Sequence, residues 1–327
     1  STAMNTTIPK AELHLHLEGA MTPSLVRSFA KRNGLTLPGD IYDAQDRYIW
    51  RDFPEFLNSF DKASAAIRTK QDYSDLTCSY LVEQAKVGTL YVEIFCSPTH
   101  AASCGLSFDA HLEAVVDGID RAERETGIIG RIIMTCVRHV GPDVAVKVAR
   151  ETVDCRHPYI VGFGMGGNES MFTQEDFYPA FKIARDAGLG CTTHAGEVEG
   201  PQSVWDAIEK LPVTRIGHGV RSIEDPKLVE ALVKRDIVLE VCPGSNIALS
   251  VFPDYTSHPL RKFYDAGVKV TLGSDDPPFF FTSLAAEYQR AEEVFGFSPE
   301  ELSGLTRTAI EAAFVDDATK AKLLAKL

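Results

Sequence analysis

Apolar and polar positions along the chain alternate between a period of two and a period of 3.6, so short strand-like runs and longer helix-like runs follow one another from end to end. Residues 12–17 form the first predicted strand; 23–33 carries Leu25, Val26, Phe29 and Ala30 at helical spacing, and Gly34 ends it. Two helices over 53–67 and 73–87 follow, the second closed by Gly88, and then a strand over 90–96 broken by Pro98. Residues 109–125 are helical and acidic on one face, 132–137 a strand, 142–153 a helix opened by proline, and 159–163 a strand running into the turn Gly164-Met165-Gly166-Gly167. The second half is more regular: helix 177–187, strand 191–194, helix 203–211, strand 215–217, helix 226–234, strand 238–242, helix 258–266, strand 268–272, and helices over 282–294 and 299–327.

Eight strands, each followed by helix, predict an α/β fold of parallel strands with crossover helices. Eight such units predict a closed (β/α)8 TIM-type barrel, with extra helices inserted after the first strand and at the C-terminus. The competing arrangement is an open doubly wound sheet, but no G-x-G-x-x-G follows the first strand. No repeat, low-complexity tract or long linker interrupts the pattern, so residues 4–327 read as one domain and Ser1-Thr2-Ala3 before Met4 as an expression scar.

Composition narrows the partner. A net charge of -13 and a pI near 5.2 argue against nucleic acid and anionic membrane surfaces, which need clustered Lys and Arg, and leave a small molecule. No apolar run reaches a membrane span and no secretory pattern opens the chain. The seven cysteines are odd in number and form no C-x-x-C pair, which reads as buried thiols in a reducing cytoplasm. Nothing in the sequence fixes an oligomeric state.

The chemistry gathers where the apolar runs stop. Thr192-Thr193-His194-Ala195-Gly196-Glu197 reads as a buried strand turning into a loop, with a candidate metal ligand and a candidate proton donor on one rim. His14-Leu15-His16, His218 and Asp275-Asp276 stand at similar points, and in a parallel barrel all such strand ends share one face. His14 and His16, two apart on a strand, point the same way and can grip one ion, with His194 and Asp275 as further ligands. The competing reading of Asp275-Asp276 is a turn before Pro277-Pro278; against it, adjacent carboxylates repel unless a cation or a shared proton compensates. His218 lies between two glycines, which suits a ligand-facing position. The Gly164–Gly167 turn can offer backbone N–H groups to a flat ligand, or can simply need positive φ. The H-E-x-x-H motif of zinc proteases and the P-C-x-x-C half of the cytidine-deaminase signature are absent.

Five motifs together, Pro9 to Ala20, Thr193 to Glu197, Arg215 to Gly219, Glu240 to Pro243 and Gly273 to Pro278, resemble the adenosine and adenine deaminases of the amidohydrolase superfamily, in order and over nearly the whole chain. The resemblance implies one Zn2+ held by His14, His16, His194 and Asp275, with hydrolytic attack at C6 of a purine. It further implies that His218 orients or deprotonates the water, that Glu197 protonates ring N1, that Asp276 holds the hydroxide and shares a hydrogen bond with N7, and that the Gly167 backbone N–H binds N3. His16 and Glu18 would line the substrate pocket, and the apolar stripe Phe53, Phe56, Leu57 and Phe60 is either ordinary helix core or, through Phe56 and Phe60, a lid over the purine. Gly162-Phe163-Gly164 lacks the bridging lysine of two-metal amidohydrolases, so one ion is expected.

On substrate, the stretches 240–246 and 275–280 look closest to bacterial adenosine deaminases, which favours adenosine and 2'-deoxyadenosine. Glu18 stands where many animal-type enzymes carry aspartate to hold the ribose, so free adenine is the first alternative and a larger 6-amino purine nucleoside such as aminodeoxyfutalosine the second. Two readings from other classes are a catalytically silent purine-binding protein, which would have lost a catalytic residue, and a zinc hydrolase of amides or phosphoesters, which would need Arg138 or Arg221 facing inward.

Overall fold

The computed structural model describes residues 8–37 and 39–327, so the N-terminal scar reading falls outside the described residues. In chain order the strands and helices are β1 (Lys10–His16), α1 (Pro23–Arg32), α2 (Phe53–Ser64), α3 (Lys70–Lys86), β2 (Thr89–Cys96), α4 (Pro98–Ser103), α5 (Phe108–Thr126), β3 (Ile129–Val137), α6 (Pro142–Asp154), β4 (Ile160–Gly166), α7 (Tyr178–Asp186), β5 (Gly190–Ala195), α8 (Pro201–Lys210), β6 (Arg215–His218), α9 (Pro226–Lys234), β7 (Val238–Val241), α10 (Pro243–Ala248), α11 (Leu260–Asp265), β8 (Lys269–Leu272), α12 (Leu284–Glu293), α13 (Pro299–Ala312) and α14 (Asp317–Leu324). The eight strands are parallel and lie in sequence order. Closure comes just past β8, where Asp275 N–H donates to the His14 carbonyl at 3.1 Å and His16 N–H to the Asp275 carbonyl at 3.0 Å. The residue that seals the barrel is thus a predicted metal ligand.

Three local expectations change. Pro98 does not merely stop β2: Ser97 caps the His100 amide and proline, needing no N–H in a first turn, opens α4. The glycine run read as a turn is strand as far as Gly166, and only Gly167 leaves it, at φ +103°. The short helix α10, opened by Pro243, was not anticipated.

The helices bury their apolar faces against the outside of the barrel, while its inside is ionic. Arg215 donates to Glu240 Oε2 at 2.7 Å and lies 2.9 Å from Glu93 Oε1, all three side chains fully buried. Its guanidinium sits 3.7 Å from the centre of the Phe314 ring, which enters from the segment between α13 and α14. Gly162 and Gly190 leave room for that ring; a Cβ would lie 2.7 Å and 2.2 Å from Phe314 atoms. The C-terminal helices therefore deliver a plug to the strand starts, which leaves the opposite rim for chemistry. The cysteines are unpaired, five of the seven buried, and no helix among the described residues is long and apolar enough to cross a membrane.

Candidate metal and catalytic site

Asp275 lies at the centre of the rim. Its Oδ1 is 3.3 Å from His14 Nε2 and 3.2 Å from His16 Nε2, and His16 Nε2 is 3.2 Å from His194 Nε2. Ligand atoms bound about 2.1 Å from a tetrahedral cation are themselves about 3.4 Å apart, so these spacings match the edges of a coordination shell. His14, His194, His218 and Asp275 each offer a ligand atom within 4.8 Å of the others, and His16, Asp275 and Asp276 do likewise. The structure thus brings together every residue the sequence nominated for metal binding, and adds His218 to the group.

The proton positions favour a cation. His14 Nδ1–H donates to Glu240 Oε1 at 2.9 Å, so neutral His14 turns a bare Nε2 toward Asp275, and that buried nitrogen has no aligned hydrogen-bond partner. His194 Nδ1–H donates to the Met165 carbonyl at 2.6 Å, which leaves its Nε2 bare as well. Lone pairs and carboxylate oxygens converge on one point, the donor set a divalent ion with nitrogen and oxygen ligands requires. Burial disfavours charge on His14, yet the Asp275 and Glu240 carboxylates outweigh it and raise its pKa to about 10, so a proton and a cation compete for the same Nε2. Burial likewise opposes charge on Glu240, but Arg215 and His14 hold it down to about 2.

Each strand end has a local reason to aim inward. His218 and Asp275, neither a glycine, hold φ of +64° and +65°, an uncommon conformation that turns their side chains into the cluster. Ser245 donates to Asp275 Oδ2 at 2.8 Å. A Cβ at Gly166 would stand in ordinary contact, 3.4 Å, with both His16 and His194 Cε1, which places this strand end directly against the two rings. At Gly19 a Cβ would collide with the Asp276 carboxylate, 1.7 Å from Oδ1, so Gly19 is what lets Asp276 face the site.

Glu197 lies 3.3 Å from His218 Nε2 through Oε2. Burial first, then the Asp275 and Glu169 carboxylates, push its pKa well above the carboxylate range, which favours its protonated form. Burial and Asp275 raise Asp276 in the same direction. The loop carrying Glu197 is organised by buried Glu169, whose Oε2 accepts Gly196 N–H at 2.7 Å and Ser203 Oγ–H at 2.6 Å, and whose Oε1 accepts the Glu197 and Val198 amides at 3.1 and 2.9 Å. Glu18 is buried, accepts the Ser97 amide at 3.3 Å, and is raised by burial to about 7.

A cavity of about 440 Å³ opens beside Glu197, lined by Phe53, Asn168, Val198, Arg221 and Leu249 among others. Of the aromatic stripe, Phe53 is the ring that lines it. Phe56 packs 4.9 Å from Phe280, and Phe60 packs 5.6 Å from Phe279. Gly167 stands beside His139, where a Cβ would lie 2.9 Å from Nδ1. Arg138 donates to the Met171 and Phe172 carbonyls at 2.5 and 2.9 Å, and Arg221, on the cavity wall, donates to Glu224 at 2.8 Å, so both guanidinium groups are engaged by the protein itself. Sequence reasoning missed Glu169, Asn246 and His258, and gave Glu240 and Ser245 no role. Glu240, Ser245 and Asn246 carried a signal, lying in the 240–246 stretch that stood out, whereas Glu169 and His258 carried none.

The family description "Adenosine deaminase" matches residues 9–327. A curated relative, an adenine deaminase of Agrobacterium fabrum (strain C58), is 51% identical over 324 residues, covering 99% of both chains. The crystal structure of an adenine deaminase from Arthrobacter aurescens superposes with a TM-score of 0.91 at 32% identity, covering 98% of both chains. An amidohydrolase from Burkholderia ambifaria, solved with bound Zn, superposes with a TM-score of 0.88 at 28% identity, covering 99% of this chain and 90% of that one.

Proposed function

The chain belongs to the adenosine deaminase family of metal-dependent hydrolytic deaminases, and on that premise we propose that it is a zinc-dependent adenine deaminase, converting adenine and water to hypoxanthine and ammonia. His14, His16, His194 and Asp275 are the residues suited to hold one zinc ion; the orphaned Nε2 of His14 is the observation that carries this assignment. Bound there, the ion would lower the pKa of a water molecule enough to supply hydroxide at neutral pH.

The chain's own residues account for the rest. An aromatic ring resists addition at C6, and Glu197, whose protonated form burial favours, donates its proton to N1 as the C6–O bond forms, which lowers that barrier. His218 and Asp276 face the attacking water, Asp276 also reaching N7, and the Gly167 backbone N–H is offered to N3. Loss of the 6-amino group as ammonia restores the aromatic system with oxygen at C6.

Adenine replaces adenosine as the favoured substrate for two reasons. Relatives about half identical over their full length carry the adenine deaminase name, and so does the structural neighbour from Arthrobacter aurescens. Glu18 supplies the chemistry: free adenine has an N9–H that adenosine lacks, because the sugar occupies N9, and a buried carboxyl can accept that proton. A site built to pair with an N–H rejects analogues without it far more strongly than apolar contact alone would. The test is product analysis: zinc-loaded protein given adenine should release hypoxanthine and ammonia in equal amounts, whereas no release from adenine alongside turnover of adenosine would overturn the proposal.

A further inference from the structure

We propose that Asn246 and His258 are positioning residues that fix the tautomer of His218, placing its proton on Nε2 and thereby making it a hydrogen-bond donor to the attacking water, neither a metal ligand nor a base. The chain of reasoning starts from a group that can only donate. The Leu260 amide, an otherwise orphaned N–H at the start of α11, donates to His258 Nδ1 at 3.1 Å. His258 Nδ1 must therefore present a lone pair, so the ring proton of this buried histidine is on Nε2. That Nε2 lies 2.9 Å from Asn246 Oδ1, which accepts from it.

The reverse orientation of Asn246 would turn its NH2 toward His258 and require His258 to accept at both nitrogens, which a neutral imidazole cannot do. Asn246 Nδ2 accordingly faces His218 Nδ1 at 3.2 Å and donates to it. Its Nδ1 lone pair being used, His218 carries its proton on Nε2, the atom 3.3 Å from Glu197 and 3.5 Å from Asp275 Oδ2.

This separates His218 from its neighbours. His14 and His194 both donate through Nδ1, to Glu240 and to the Met165 carbonyl, and so turn bare Nε2 atoms toward Asp275. His218 is wired the opposite way and turns an N–H toward the same point. Proximity alone groups it with the ligands; the direction of its hydrogen bonds excludes it. The water-binding position given to His218 rests on the deaminase proposal, whereas the tautomer does not.

The experiment uses 15N-histidine-labelled, zinc-loaded protein, with long-range 1H–15N correlations reporting which nitrogen of each ring is protonated and His218→Gln assigning the signals. A protonated Nε2 and bare Nδ1 on His218 are expected; a protonated Nδ1 in the wild-type protein would overturn the proposal whatever the substrate proves to be. Asn246→Asp, whose carboxylate can only accept, should move the His218 proton to Nδ1 and lower kcat on the order of 10²-fold with KM and zinc content little changed. Wild-type kcat in that variant would also overturn it. Should Asn246→Asp fail to fold, the comparison of His258→Gln with His258→Leu decides. Gln can donate to Asn246 Oδ1 and should retain both tautomer and kcat, whereas equal kcat in the two variants would contradict the relay.

Discussion

Replacing Glu240 by glutamine removes no atom from the barrel yet should weaken metal binding, because only one orientation of the new amide is tolerable. Glu240 Oε2 accepts Arg215 Nε–H at 2.7 Å and Thr192 Oγ–H at 2.9 Å, while Oε1 accepts His14 Nδ1–H at 2.9 Å. Arginine has no acceptor, so the amide oxygen must face Arg215 and the NH2 must face His14. His14 then accepts at Nδ1, its proton moves to Nε2, and the nitrogen aimed at Asp275 ceases to be a ligand. Loss of an outer-shell partner of this kind costs about 10–100-fold in metal affinity, or about 1.4–2.7 kcal/mol. Arg215 keeps Glu93 at 2.9 Å, so the penalty to folding should fall below the ~3–5 kcal/mol of a fully unpaired buried charge. Competition against a chromophoric zinc chelator, with urea unfolding of the same samples, reads both quantities. Wild-type zinc affinity in a folded Glu240→Gln protein would refute the reasoning.

Three further outcomes are expected. Glu197→Gln, which cannot give up a proton, should keep full zinc occupancy and lose most turnover, on the order of 10²-fold or more; undiminished turnover at equal zinc would remove Glu197 as proton donor. His111 is fully buried between α3 and α5, neither ring nitrogen has a partner among the described residues, and burial followed by His100 lowers its pKa to about 3. The unfolded chain, with an ordinary histidine pKa of about 6.5, therefore takes up a proton that the folded protein refuses, and stability is lost as pH falls from about 6.5 toward 3. His111→Leu should trim the stability lost between pH 7 and 4.5 by about 2–3 kcal/mol, measured by urea midpoints; an unchanged difference would exclude His111 as a source of acid sensitivity. Gly190→Ala should cost about 1–3 kcal/mol by driving a methyl into Phe314, and Phe314→Leu in the same chain should recover part of it, with thermal melting as the readout; two additive losses would disprove the steric account.

How much of this was legible in the sequence follows from where the information lies. Strand ends were readable because apolar runs stop at or just before His16, His194, His218 and Asp275, and parallel topology gathers such ends on one rim. Pro98 misled because proline stops a strand and opens a helix equally well, and Ser97 decides which. Gly164 and Gly166 looked like a turn because glycine frequency cannot distinguish flexibility from crowding, and at Gly164 the crowding comes from Ile133 Cγ2 and the Thr192 carbonyl, 3.2 and 3.3 Å from where a Cβ would sit. The supporting shell was silent for a further reason. Glu240 acts on His14 across 226 residues, and Glu169 on a loop 27 residues away, so even where a motif marks the residue, as at Glu240, no local pattern names its partner. The His258 relay needs the start of α11 to be known before its direction can be fixed.

The choice between base and nucleoside bears most directly on the account. On zinc-loaded protein, kcat/KM should be measured for adenine and for adenosine under matched conditions by ultraviolet absorbance. A value for adenine higher by a factor on the order of 10² or more is expected, because only the free base brings the N9–H for Glu18 to accept. Equal values, or a preference for adenosine, would contradict the adenine reading and return Glu18 to the role of a ribose contact.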